Sequence, residues 1–120
     1  MQTSCGFLIQ KDNEILLCHS THPKKKAKML DGRWGISKGG MERGETFLDA
    51  AKRETFEEIG LNVDDYSFKI SLNYFAFIYA SKKKKLIVFK LIDTNNVLDK
   101  FKFVCNSYNK DLPEIDAFEW

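Results

Sequence analysis

Residues 39–61, GGMERGETFLDAAKRETFEEIGL, constrain the fold more than any other part of the chain. At about 100° per residue, Leu48, Ala51, Thr55 and Ile59 fall on one stripe, so residues 47–59 are read as a helix laid against a core. Thr46 stands at the N-cap position, and Asp49 three residues on completes a capping box. Gly60 stands where a left-handed C-terminal cap belongs. On a neighbouring face Glu54, Glu57 and Glu58 recur at spacings of three and four. Helix stability does not select such a trio, because two like charges about 4 Å apart cost roughly 1 kcal/mol even in water. A divalent cation reverses the sign of that interaction. Carboxylate oxygens are hard ligands suited to Mg²⁺ or Mn²⁺. Taken alone, Glu57-Glu58 reads equally well as a solvated acidic face; the complete spacing favours the metal.

The flanking sequence supplies strands. Residues 5–10 and 15–19 are short apolar runs with Asp12-Asn13 between them, a pattern that predicts a β-hairpin. Residues 21–33 are polar and basic, a loop by composition. Residues 34–37 form a short strand leading into Gly39-Gly40. Residues 68–80 read as a long strand, apolar on both faces and therefore central and covered on both sides. Residues 81–84 are an exposed turn and residues 85–92 the returning strand. Residues 101–105 and 115–120 are weaker strand candidates. One helix among many strands predicts an α/β layered domain spanning residues 1–120.

At 120 residues, with 43% hydrophobic and 13% aromatic side chains, the chain is long enough to bury roughly two-thirds of its unfolded surface. Net charge is only +2, but the signs are segregated: lysines gather at 24–28 and 82–85, acids between 42 and 58. Cys5, Cys18 and Cys105 are odd in number and widely spaced, which reads as reduced thiols in a cytoplasmic protein. No apolar run reaches membrane-spanning length, and residues 1–4 lack the basic segment of a signal peptide.

The same segment resembles the Nudix box, whose pattern is G, five residues, E, seven residues, R-E-U-x-E-E-x-G-U, with U apolar. Gly39, Glu45, Arg53, Glu54, Glu57, Glu58, Gly60 and Leu61 match it, and Thr55 is a looser match at the first U position. The resemblance implies an α/β/α sandwich around a mixed sheet. It implies a divalent-metal-dependent hydrolase that cleaves a phosphoanhydride in a nucleoside diphosphate linked to another group. The metal ligands it implies are Glu54, Glu57, Glu58 and the backbone carbonyl of Lys38. It further implies that Arg53 orients the carboxylates, that Glu45 supports that network, and that Glu57 or Glu58 serves as base or as ligand to the activating metal. Gly39, Gly40 and Gly44 let the loop fold tightly and bring backbone groups to the metal, and Gly39 and Gly40 are expected to contact substrate.

Outside the box, residues 112–120 (LPEIDAFEW) are similar to a segment of bacterial RNA pyrophosphohydrolases, which maps a further metal ligand onto Glu114. Residues 34–39 (WGISKG) resemble the W-x-F-P-K-G segment of Nudix enzymes acting on dinucleoside polyphosphates, RNA 5′ ends or inositol pyrophosphates, with Ser37 replacing the proline. Lys38 reads as a phosphate contact or an exposed lysine, and Trp34 as packing rather than base stacking. Tyr79 lies near a tyrosine typical of dinucleoside polyphosphate hydrolases, and a core role suits it at least as well. His19 and His22 have no partners at ligand spacing and receive no role.

The favoured substrates are dinucleoside polyphosphates, nucleoside triphosphates and RNA 5′-triphosphate ends. Two rivals remain: a catalytically silent nucleotide-binding module, and a protein that binds RNA through its lysines, with the salt dependence that entails. The family's second covering helix is missing before the chain stops at Trp120, so the sheet is expected to be partly open or covered by a partner, with a homodimer as one outcome.

Overall fold

The computed structural model describes residues 2–21, 33–79, 83–109 and 111–120; the lysines at 24–28 lie outside them. In chain order the elements are β1 (Gln2–Lys11), β2 (Glu14–Ile15), β3 (Leu17–Ser20), β4 (Arg33–Gly35), β5 (Lys38–Gly40), α1 (Phe47–Ile59), β6 (Lys69–Ile78), β7 (Lys84–Ile92), β8 (Tyr108–Asn109), β9 (Leu112–Pro113) and β10 (Ile115–Glu119). The main sheet runs β2-β1-β7-β6, with β5 also paired to β1. It is mixed: β1 and β7 are parallel, while β2 and β5 are antiparallel to β1, and β6 to β7. A second sheet runs β10-β3-β4, and β8 pairs with β9.

The expected hairpin forms. Gln10 pairs with Ile15 and Lys11 with Glu14, leaving Asp12-Asn13 as the turn, and Asp12 takes a φ of 53°. On β1 and β7 the parallel register puts Cys5 beside Ile87, Phe7 beside Phe89 and Ile9 beside Leu91. Alternation turns this row to one face, where it shares a core with Ala50, Ala51 and Ile59 of α1. Burying Ile59 completely is worth about 1.5–3 kcal/mol.

Helix α1 spans the expected residues. Its capping box is present, with Thr46 Oγ1 accepting from the Asp49 N–H at 3.1 Å, and Gly60 ends it at φ 77°. Its buried face is rotated from the expected stripe: Leu48 is half-buried, while Ala50 and Glu58 join Ala51, Thr55 and Ile59 inside. Thr55 fills an apolar position because its hydroxyl donates to the Ala51 carbonyl at 2.7 Å.

Two strand expectations need correction. The strand at 68–80 was expected to be central and covered; β6 is instead an edge, paired only with β7 among the described residues. Leu72, Phe75, Phe77 and Ile78 on it are 69, 58, 53 and 62% exposed. Two apolar faces do not distinguish a central strand from an edge strand, and β1 and β7 take the centre. Tyr79, read as either a substrate contact or a core residue, is 39% exposed just beyond β6, which does not suit the core role.

Residues 101–105 form no strand. The end of that segment crosses the C-terminus of α1 instead. The Val104 N–H donates to the Ile59 carbonyl at 3.0 Å and the Asn106 N–H to the Glu57 carbonyl at 2.7 Å. A helix leaves its last carbonyls without partners, and this segment satisfies two of them. No helix among the described residues is long and apolar enough to cross a membrane.

Candidate active site

Arg53 organises the box. Its Nε donates to Glu45 Oε2 at 2.8 Å and its Nη2 to Glu45 Oε1 at 3.1 Å, a two-point fork. Nη2 also donates to the Gly40 carbonyl at 2.7 Å. Nη1 reaches Glu54 at 2.8 Å and both oxygens of Glu57 at 3.2 Å. One guanidinium thus offsets the repulsion among three carboxylates and ties the helix to the β5 backbone. The hydrogen bonds from Arg53 hold the Glu45 carboxyl below the usual range.

Glu58 faces another way. It is 8% exposed, and its Oε1 accepts from the Ser37 hydroxyl at 3.0 Å and the Lys38 N–H at 2.8 Å. Burial pushes its carboxyl up to about 7, against the opposing pull of those two donors. Burial also raises the Glu54 carboxyl, and Arg53 works against that rise. The three glutamates expected on one face are therefore divided. Arg53 gathers Glu54 and Glu57, while Glu58 anchors the 37–38 backbone. Among the described residues no three His, Cys, Asp or Glu side chains already stand as a metal cluster; Nη1 lies between Glu54 and Glu57.

Close backbone approach explains two glycines. A Cβ at Gly39 would overlap the carboxylate of Glu54, and one at Gly6 would overlap the Ser37 carbonyl. Gly6 lies on β1, outside the box, and lets the 37–38 backbone reach Glu58. The sequence reading missed Gly6, because its role depends on β1 pairing antiparallel with β5. It also treated Ser37 only as a substitute for proline, although Ser37 is buried with its hydroxyl on Glu58.

The charge of Glu114 is among those that raise the Glu54 carboxyl, and its backbone is held by Ser107 and Thr21. The side chain of Lys38 is exposed. Tyr79 lies beyond β6, two strands from β1 across the sheet.

Trp34 is not packed away as expected: it is 44% exposed, with its ring 5.0 Å from that of His19. His19, given no role from sequence, has its Nδ1 2.5 Å from Asp116 Oδ1. Spacing along the chain could not reveal that contact, since these residues are brought together by β3 pairing with both β4 and β10.

The donor chemistry suits a hard divalent cation: Glu54, Glu57 and Glu58 offer carboxylate oxygens, the 38–39 backbone lies against Glu58 and Glu54, and Gly39 leaves room for a carboxylate where a side chain would intrude.

Comparison with known proteins identifies the family. The uncharacterized 17.7 kDa protein in the e-segB intergenic region of Enterobacteria phage T4 is 31% identical over 121 residues, covering 96% of this chain and 78% of that protein. An RNA pyrophosphohydrolase of Helicobacter pylori is 28% identical over 101 residues, covering 76% of this chain. The alignment spans 59% of that enzyme's own length. Among solved structures, a Caenorhabditis elegans Ap4A hydrolase binary complex superposes with a TM-score of 0.66 at 21% identity, over 98% of this chain and 77% of that one. The NUDIX domain family matches residues 2–120, and the chain therefore belongs to the Nudix hydrolase family.

Proposed function

We propose that the chain hydrolyses a phosphoanhydride bond in a nucleotide, with a divalent cation, Mg²⁺ or Mn²⁺, held by Glu54, Glu57, Glu58, Glu114 and the Lys38 carbonyl. The observation that carries this reading is the Arg53 fork, which gathers Glu45, Glu54 and Glu57 beside the Gly40 carbonyl. A solvated acidic face has no need of such an arrangement. When bound, the cation neutralises phosphate oxygens and makes water more acidic.

The chain's own residues divide the remaining work. Glu58, turned to the 37–38 backbone, fixes the loop whose Lys38 side chain reaches a phosphate. Glu57 is 39% exposed and, among the described residues, is held by the longer 3.2 Å contacts from Arg53. It is the glutamate best placed to take a proton from the attacking water. Arg53 limits how far Glu54 and Glu57 can move from their working positions, so the protein contributes position and field.

The substrates favoured are dinucleoside polyphosphates, nucleoside triphosphates and RNA 5′-triphosphate ends. The similarity to an RNA pyrophosphohydrolase and to an Ap4A hydrolase supports that range. The test is a panel of these compounds with Mg²⁺ or Mn²⁺, scored for phosphate, pyrophosphate and nucleoside monophosphate. Glu57→Gln is expected to lower turnover by a factor on the order of 10² to 10⁴ with folding intact. An unchanged rate removes Glu57 from the chemistry.

A further inference from the structure

We propose that the hollow between Trp34 and Asp116 is the nucleobase subsite, and that it selects bases carrying an amino group, guanine foremost. The proposal rests on the nucleotide-hydrolase reading and adds the part of the substrate that the glutamates do not touch. The hollow measures about 410 Å³ and is lined by His19, Trp34, Asp116 and Ala117.

Three observations build the site. His19 on β3 and Trp34 on β4 are register partners, their rings 5.0 Å apart and tilted by 57°. An indole left 44% exposed at the mouth of a hollow is a stacking platform for a flat ring. Asp116 comes to the same place through an irregularity in β10. Ile115 pairs with Ser20 and Ala117 with His19, so Asp116 is the extra residue of a bulge. A bulge re-aims a side chain, and here the carboxylate meets the imidazole.

The third observation concerns hydrogen-bonding capacity. Asp116 Oδ1 lies 2.5 Å from His19 Nδ1. An ionised carboxylate only accepts, so Nδ1 carries the proton and the pair is fixed in orientation. Oδ2 accepts from no described residue and is left for a ligand that brings N–H donors. Guanine presents its ring N–H and its amino group side by side on one edge. Hypoxanthine lacks the amino group, and uracil has a lone ring N–H between two carbonyls. A carboxylate therefore ranks guanine above both.

The hollow lies within a nucleotide's reach of the glutamates. Trp34 stands four residues before Lys38, at most about 14 Å along the chain, and the Lys38 N–H holds Glu58. Asp116 stands two residues after Glu114, whose charge reaches Glu54. The two segments that line the hollow thus continue directly into the acidic site.

The experiment is calorimetric titration of the protein, without divalent cation, with the 5′-monophosphates of guanosine, adenosine, inosine and uridine. Guanosine monophosphate is expected to bind about tenfold more tightly than the inosine and uridine compounds. Asp116→Asn, at a side chain 41% exposed, is expected to erase that preference. Trp34→Leu is expected to weaken all four. Equal affinity for the four ligands in the wild-type protein overturns the proposal and requires no variant to fold. A preference unchanged in Asp116→Asn overturns it as well. Because binding is read without turnover, the two readings fail separately. A base preference alongside an active Glu57→Gln protein sinks only the assignment of Glu57. Loss of activity in Glu57→Gln with no base preference sinks only the subsite.

Discussion

Replacing Gly39 by alanine separates the chemistry of the site from its stability. The new methyl group would overlap the Glu54 carboxylate. That carboxylate is the free end of a side chain, so it swings aside and breaks the 2.8 Å bond from Arg53 Nη1. A hydrogen bond to a charged group contributes about 1.5–3 kcal/mol. Glu54 is 12% exposed and regains water as it turns outward, which returns part of that loss. The backbone at 39 has no positive φ, so alanine also returns about 0.4–1 kcal/mol by restricting the unfolded chain. The net cost to folding is about 1 kcal/mol. Activity responds differently, because a reacting group misplaced by about 1 Å costs on the order of 100-fold in rate. Gly35→Ala is the control, since a Cβ there meets nothing within 4 Å. Urea melts and initial rates with Mg²⁺, measured on both variants, give the comparison. A Gly39→Ala protein that turns over as fast as Gly35→Ala, or whose lost activity is accounted for by unfolding, refutes the expectation.

Two further predictions concern the rest of the fold. Burial pushes the Cys18 thiol up to about 12, so it is expected to resist thiol reagents at pH 8 until the protein is unfolded. A folded-state pKa raised above the unfolded value of about 8.5 gives stability that is complete below that value and lost as pH rises toward 12. The alkaline decline in melting temperature should therefore be shallower in Cys18→Ala, and an identical decline would contradict this. The exposure of β6 and the burial of β7 predict opposite sensitivities. Ile87→Ala, at a residue 1% exposed, should cost about 2–5 kcal/mol. Phe77→Ser, at a residue 53% exposed, should cost about 0.5 kcal/mol or less in the isolated chain. Similar urea midpoints for the two would place β6 inside the core.

Local rules made the helix legible. Thr46, Asp49 and Gly60 mark its ends through bonds that span three or four residues, so residues 47–59 could be delimited without tertiary information. The Arg53–Glu45 pair was legible for a different reason, because the box pattern carried it. What stayed hidden depends on strand pairing. The aromatic run at 69–78 is apolar on both faces, and nothing local says that β7 covers one edge and leaves the other open. Phe101 and Phe103 look like strand residues but pack on Tyr66 and on Phe118 and Trp120. Their segment continues into the backbone that closes the end of α1. His19 and Asp116 are 97 residues apart in sequence, and a one-residue bulge decides that they meet.

Glu57 and Glu58, adjacent in sequence, end in different environments, and the surrounding strands explain why. Gly6 on β1 admits the Ser37 carbonyl, which lets the 37–38 backbone approach α1 closely enough for Glu58 to be buried against two donors. Glu57, one residue earlier and about 100° around the helix, instead accepts from Arg53 Nη1. Removing the Ser37 hydroxyl would leave Glu58 with the Lys38 N–H alone and loosen the loop, while the Arg53 contacts to Glu45, Glu54 and Glu57 stay in place. The acidic site thus has two supports. Arg53 holds the carboxylates to one another, and Glu58 holds the helix to the strand that leads back to Trp34.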